Sequence, residues 1–305
     1  MTKRMGLLLA LLAGSPAGQA GQPGLVFRSG VDMINLNVCV MDGRNRYITD
    51  LAEADFKVLE DGVQQQVALF TRRRLDLSLV VMIDTSASMQ QKLPTVREAA
   101  LRLVNAMGPA DTAEILQFND RTSVLQGFTT DRAALERAIG GTQASGATAL
   151  YTALYVALKD LARERKAGEL RRYAIALLSD GQDTASRVTE EQVLELARRS
   201  EVVIYAIRPR SGEVSPDART LGEADYFLSV LGRDTGGRAF FPDSLGELSG
   251  VYDSIAEELR SEYSLGYVSS NASRDGRWRR IGIHTPGRGG LQVRHRPGYF
   301  APRGQ

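Results

Sequence analysis

The chain has 305 residues, of which 43% are hydrophobic and 24% charged, and a formal net charge of +2. That composition suits a folded protein with one large or two modest cores, and the balanced charge argues against a nucleic-acid partner. The single cysteine, Cys39, excludes an intramolecular disulfide and any zinc cluster built around it.

Residues 1–20 read as a secretory signal. Lys3 and Arg4 give a basic start, Gly6 to Leu12 an apolar stretch, and Ala17-Gly18-Gln19-Ala20 the small residues of a cleavage site. The apolar stretch is shorter than the roughly 20 residues that span a bilayer, and no other segment qualifies as a membrane span. The expected location is therefore outside the cytoplasm: periplasmic, in the cell envelope, or secreted. Loss of Lys3 and Arg4 would bring the formal charge to zero.

Residues 26–72 form a β segment. Val31 to Val38 alternate, and Asp42-Gly43 and Asp61-Gly62 mark turns, with DFKVLEDGVQQQVALF as two short strands around the second turn. Residues 75–260 then alternate strands with helices. The pattern predicts strand 77–84, helix 94–107, strands 113–118 and 122–128, and helices 131–139 and 148–165. It continues with strand 173–179, helix 189–200, strand 202–208, helix 224–233, strand 238–241 and helix 245–260. This order is a doubly wound, mostly parallel α/β sheet with one antiparallel edge strand. Residues 262–302 return to short strands. Neither terminal segment has enough strands to bury a core alone, so the two are expected to pair as one small all-β sandwich into which the α/β domain is inserted. Eight arginines follow Glu262 against Glu262 and Asp275, and these are expected on solvated strand faces.

The chemistry sits at strand ends. The run Leu79-Val80-Val81-Met82-Ile83 suits a strand buried on both faces, and it stops at Asp84-Thr85-Ser86-Ala87-Ser88. Oxygen ligands at alternate positions suit a hard divalent cation such as Mg²⁺. Further oxygens must come from other strand ends or helix starts, and the candidates are Thr148 in SGATAL and Asp180 after the run Ala174 to Leu178. A shell made mostly of neutral hydroxyls and water leaves the cation undercompensated, so it would attract a carboxylate. The alternative is that Asp84 and Asp180 only cap following helices. Met89, Tyr151 and Asp183 lie near enough in sequence to form the rim, although Asp183 and Thr184 also read as helix caps.

These residues resemble a family. DTSAS at 84–88, the threonine of GAT at 148 and the aspartate of SDGQDTAS at 180 look like the metal-ion-dependent adhesion site of a von Willebrand factor type A domain, over roughly residues 75–260. The resemblance implies that Ser86 and Ser88 ligate one divalent cation (Mg, or Mn or Ca) directly. It implies that Thr148 does so directly or through water, and that Asp84 and Asp180 hold coordinated waters. One position is then left for a partner's acid. The EDG turn and the closing RPGYFAP resemble the flanks of exported bacterial proteins of the same kind. In that family, tightening of the metal shell is coupled to a shift of the final helix, here 245–260, which runs with almost no slack into the strand at 263.

Enzyme readings fit less well. The place of a second aspartate in a dehalogenase-type phosphatase is Ser86, no GxSxG elbow is present, and the only histidines, His284 and His295, lie in the C-terminal β segment. The expectation is a non-catalytic binding module that recognises a protein bearing an exposed Asp or Glu, with a glycan as the second choice. The rivals are a structural envelope scaffold whose metal only stabilises the fold, and a metal-dependent hydrolase.

Overall fold

A computed structural model describes residues 33–166, 169–179, 182–210 and 222–304. The signal at 1–20, the start of the 26–72 segment and Asp180 lie outside the described residues.

The α/β portion is a six-stranded sheet of β5 (Leu77–Asp84), β6 (Thr112–Phe118), β7 (Thr122–Thr129), β8 (Arg172–Leu178), β9 (Val203–Ile207) and β10 (Arg238–Phe240). Their order is β10-β9-β8-β5-β6-β7, and only the edge strand β7 runs antiparallel. Every residue of β5 is buried. Its period-two side chains divide between layers: Leu77, Leu79, Val81 and Ile83 pack with α1 (Leu93–Asn105), α2 (Arg132–Gly140) and α6 (Leu248–Ser261). Val80 and Met82 pack with α3 (Leu150–Glu164), α4 (Glu190–Arg199) and α5 (Glu223–Thr235). A continuous apolar run is what a strand covered on both faces requires.

Local signals set the helix ends. Asp131 caps α2 by accepting from Ala133 N and Ala134 N at 3.0 and 3.2 Å, and Thr189 and Gln192 form a reciprocal capping box at α4. Gly236 ends α5 in the left-handed region at φ +85°.

The flanking strands are β1 (Met33–Met41), β2 (Lys57–Glu60), β3 (Val63–Gln65), β4 (Val67–Thr71), β11 (Tyr263–Val268), β12 (Trp278–His284), β13 (Gln292–Arg294) and β14 (Gly298–Phe300). They make two antiparallel sheets, β13-β1-β11-β4 and β14-β12-β2-β3, so each sheet draws strands from both ends of the chain. Ile34, Leu36, Val38 and Val40 of β1 face Val58, Tyr263, Leu265, Ile281 and Ile283 in a third apolar core. The expected fold class, a doubly wound sheet inserted in a small sandwich, is the one observed. Two details differ. The stretch expected as two strands holds three, because Gln66 lets the chain leave one sheet as β3 and enter the other as β4. The strand β14 went unread, because Pro297-Gly298 at its start reads as a turn.

The C-terminal arginines also depart from expectation, since three of them turn inward. Arg279 meets Glu60 at 3.3 Å, Arg294 pairs with Glu258, and Arg296 meets Glu201 at 3.3 Å. Each joins a glutamate buried or half-buried beneath it, which a short strand over a polar-lined layer allows. Glu262 is the one residue between α6 and β11. It is buried, pairs with Arg172 at 3.2 Å, and its carboxyl is raised above the usual range by burial against the opposing pull of Arg172. Cys39 is a buried free thiol, pushed up to about 12 by burial. Among the described residues no helix is long and apolar enough to cross a membrane.

Candidate metal centre

The connections after β5 and after β8 leave toward opposite layers, with α1 on one face and α4 on the other. Adjacent strands whose connections diverge open a crevice at their carboxyl ends. Asp84, the last residue of β5, stands there.

Asp84 is fully buried and both its oxygens accept hydrogen bonds. Oδ1 accepts from Ser86 N at 2.9 Å, and Oδ2 accepts from the Ser179 hydroxyl at 2.6 Å. Ser179 follows β8, so this bond ties the ends of the two strands together. Thr85 donates twice to Phe118 O at the end of β6, from N at 2.7 Å and from Oγ1 at 3.1 Å. The loop is therefore fastened on both sides. The Ser86 and Ser88 hydroxyls lie 3.1 Å apart.

Thr148 is brought to the same loop by main-chain straps: Ser145 N donates to Thr85 O at 2.7 Å and Ala87 N to Gly146 O at 3.0 Å. Gly146 is required here, because φ is +75° and a Cβ would stand 2.7 Å from Asp120 Oδ1. Thr148 is buried, its N donates to Thr184 Oγ1 at 3.1 Å, and its O accepts from Thr184 N at 2.8 Å and Ala185 N at 3.0 Å. Its backbone is fully engaged, while its hydroxyl has no hydrogen-bond partner among the described residues.

Asp183 serves the start of α3. Its Oδ1 accepts from Tyr151 N at 3.2 Å and from the Ser186 hydroxyl at 2.6 Å, and Ser186 Oγ in turn accepts from Thr152 N at 2.9 Å. Loop 182–187 thus caps a helix that precedes it in sequence, satisfying N–H groups that α3 leaves open. Tyr151 is half-buried, edge-on to Phe227 with centroids 4.8 Å apart, and donates to Glu190 Oε2 at 3.3 Å. Burial, with Glu190 and Asp183 nearby, pushes its phenol up to about 12. Met89 contradicts its expected place at the rim. It is fully buried in the layer under α1, because the 3-10 turn Ala87–Met89 rotates it inward. Ser179 and Ser186 were not read as part of the site, although the hydroxyl-rich SDGQDTAS stretch carries both.

The donors present suit a hard cation. Adjacent ligands of an octahedron with bonds of about 2.1 Å are about 3.0 Å apart, and the Ser86 and Ser88 hydroxyls already stand at that separation. They are neutral oxygens beside the buried carboxylate of Asp84. Among the described residues no three His, Cys, Asp or Glu side chains gather as a metal cluster. Two clefts border these residues, the first at the loop itself and the second at Tyr151 and Asp183. One of about 700 Å³ is lined by Ser88, Lys92 and Arg210, and one of about 850 Å³ by Tyr151, Asp183, Glu190 and Tyr226.

Residues 79–182 match the family model of the von Willebrand factor type A domain. A UPF0353 protein of Mycobacterium leprae (strain Br4923) is 23% identical over 228 residues, covering 67% of this chain and 65% of the relative. The chain thus spans about two thirds of that relative's length. Among solved structures, a von Willebrand factor type A protein from Catenulispora acidiphila is 11% identical with a TM-score of 0.51, over 92% of this chain and 76% of that one. Proximal thread matrix protein 1 from the mussel byssus, solved with a zinc-occupied MIDAS motif, is 18% identical with a TM-score of 0.51, over 66% of this chain and 49% of that one. At these identities the structural likeness is one of fold.

Proposed function

From the premise that the chain carries a von Willebrand factor type A domain, we propose that it is an exported, non-catalytic binding module that holds a partner through one divalent cation and a partner carboxylate. One observation supports this reading: the Ser86 and Ser88 hydroxyls lie 3.1 Å apart at the switch point of the sheet, on a loop fastened by Asp84, Ser179 and the 145–146 strap that leads to Thr148. Ser86, Ser88 and Thr148 would hold the cation, with Asp84 and Asp180 behind them. When bound, the cation would act as a Lewis acid with charge left over for an incoming acid. The protein's own contribution is position. Hydrogen bonds from Ser86 N and the Ser179 hydroxyl fix Asp84 so that its charge lies under the loop, and the clasp from Asp183, Thr184 and Ser186 fixes Thr148 at the start of α3.

Mg²⁺ is the cation first expected, with Mn²⁺ or Ca²⁺ as substitutes. The partner is a protein with an exposed Asp or Glu, and the place is the periplasm, the envelope or the outside of the cell. Full-length protein on beads, incubated with envelope extract, should retain a partner in Mg²⁺, lose it in EDTA and regain it when Mg²⁺ is restored. Retention indifferent to metal would instead favour a scaffold whose site only stabilises the fold.

A further inference from the structure

The two clefts beside the site differ in charge. The one of about 850 Å³ carries Asp183, Glu190 and Glu223 beside Tyr151 and the exposed Tyr226, with Arg208 turned to Asp225. Among the described residues, the one of about 700 Å³ has Ser88 in its own wall and carries Lys92 and Arg210 against the single acid Asp243. A ligand atom on the hydroxyls of the loop therefore lies at the mouth of a cleft whose described lining carries surplus positive charge.

Neither cation has a carboxylate to itself among the described residues. Lys92 follows Ser88 by four residues across the 3-10 turn, its N donating to Met89 O at 2.9 Å, and it stands at the N-cap of α1. A cation at a helix N-terminus adds to the positive end of the helix dipole, whereas stability favours an acid there. The first turn of α1 has no acidic residue, and no carboxylate among the described residues pairs with Lys92. Arg210 forms the opposite wall. Its N donates to Pro242 O at 2.9 Å, its guanidinium lies 5.5 Å from the Phe241 ring centroid, and it reaches Asp225 at 3.6 Å. Asp225 is already paired with Arg208, so two arginines share one carboxylate. Asp243 belongs to a turn folded on itself, with its N and the Ser244 hydroxyl donating to Glu247.

We propose that this cleft receives a second acidic side chain of the partner, so that the recognised segment carries two carboxylates, one for the cation and one for Lys92 and Arg210. The inference rests on the metal-dependent reading above and deepens it from any acidic partner to a doubly acidic segment of fixed spacing and direction. The acidic cleft across the site repels the same segment in the reverse orientation, which fixes which acid meets the cation. Successive residues of an extended segment are about 3.3 Å apart, so only one or two spacings can serve both positions.

The test uses the full chain in Mg²⁺ and fluorescein-labelled Gly/Ser peptides as probes, carrying either one Glu or two Glu separated by one, two or three residues. Fluorescence polarisation should show one spacing binding roughly five- to tenfold more tightly than the single-Glu peptide, the size expected of a partly exposed charge pair acting with a second contact. Lys92→Gln with Arg210→Gln should remove that advantage and leave single-Glu binding unchanged. Equal binding at every spacing, or equal weakening of all peptides in the double variant, overturns the proposal. EDTA separates the two readings. If a two-Glu peptide keeps its Lys92 dependence in EDTA, the cleft stands and the metal-dependent reading falls. If no peptide binds at all, both fall.

Discussion

Glu114 gives a pH dependence whose sign and size follow from its surroundings. It lies on β6, two residues before Leu116, and so shares the face that packs against α3. It is buried, its Oε1 has no hydrogen-bond partner, and the carboxylates that bear on it are Asp160 and Glu164 in the last turns of α3. Burial first, and these two charges second, push its carboxyl up to about 7 from 4.5. The folded protein then keeps a proton that the unfolded chain has released between those values. Stability from this group is whole below pH 4.5 and is lost as pH rises through 7. The interval corresponds to about 3 kcal/mol. The assay is urea denaturation of the full chain and of Glu114→Gln from pH 4 to pH 8. The difference in unfolding free energy between the two should move by about 2–3 kcal/mol in favour of Glu114→Gln as pH rises, because the amide carries no charge to bury. Parallel profiles across that range would refute the argument, and would mean that the carboxylate finds a partner or water in solution.

Three further outcomes are expected. Glu258 is fully buried, with Tyr205 donating to Oε1 at 2.8 Å and Arg294 and Tyr47 on Oε2, so Glu258→Ala strands Arg294 and should cost about 3–5 kcal/mol by denaturant melting. Gly146→Ala should lower stability by about 1–2 kcal/mol through its positive φ. It should also weaken Mg²⁺ binding several-fold in calorimetry, because the strap that places Thr148 must shift; unchanged affinity would remove the strap from the site. Met89→Ala should cost about 2–4 kcal/mol as a core truncation, with Mg²⁺ affinity unchanged, whereas a residue at the rim would show the reverse pattern.

The alternation of apolar strands and amphipathic helices from 77 to 261 was legible because each element repeats one physical period: β5 is apolar throughout, and α3 shows Leu150, Leu154, Ala157, Leu158 and Leu161 along one stripe. Insertion in a sandwich was legible from a deficit, too few strands at either end to close a core. Strand β14 was not, since Pro297-Gly298 at its start reads as a turn. In the candidate site, motif and place name Asp84, Ser86, Ser88 and Thr148, and Asp183 and Thr184 read as caps of a following helix, but the part these two and Ser186 play at an earlier one could not be read. They cap a helix 30 residues earlier, and that pairing exists only once β8 lies beside β5. Met89 misled because a residue next to DTSAS looks exposed until the 3-10 turn sets its direction. The inward arginines escaped for a similar reason: Arg279, Arg294 and Arg296 find Glu60, Glu258 and Glu201 only across sheets and elements distant in sequence.

The central claim is that hydroxyls at the end of β5 hold a divalent cation. Isothermal titration of Mg²⁺ into the full chain and into Ser86→Ala and Ser88→Ala tests it most directly, since both changes remove one oxygen from a loop that Thr85 and Ser179 keep fastened. The account predicts one bound cation per chain and a loss of affinity of about tenfold or more in each variant, the scale on which even outer partners of a metal act. No Mg²⁺ binding by the unaltered chain, or equal binding in all three proteins, would contradict it.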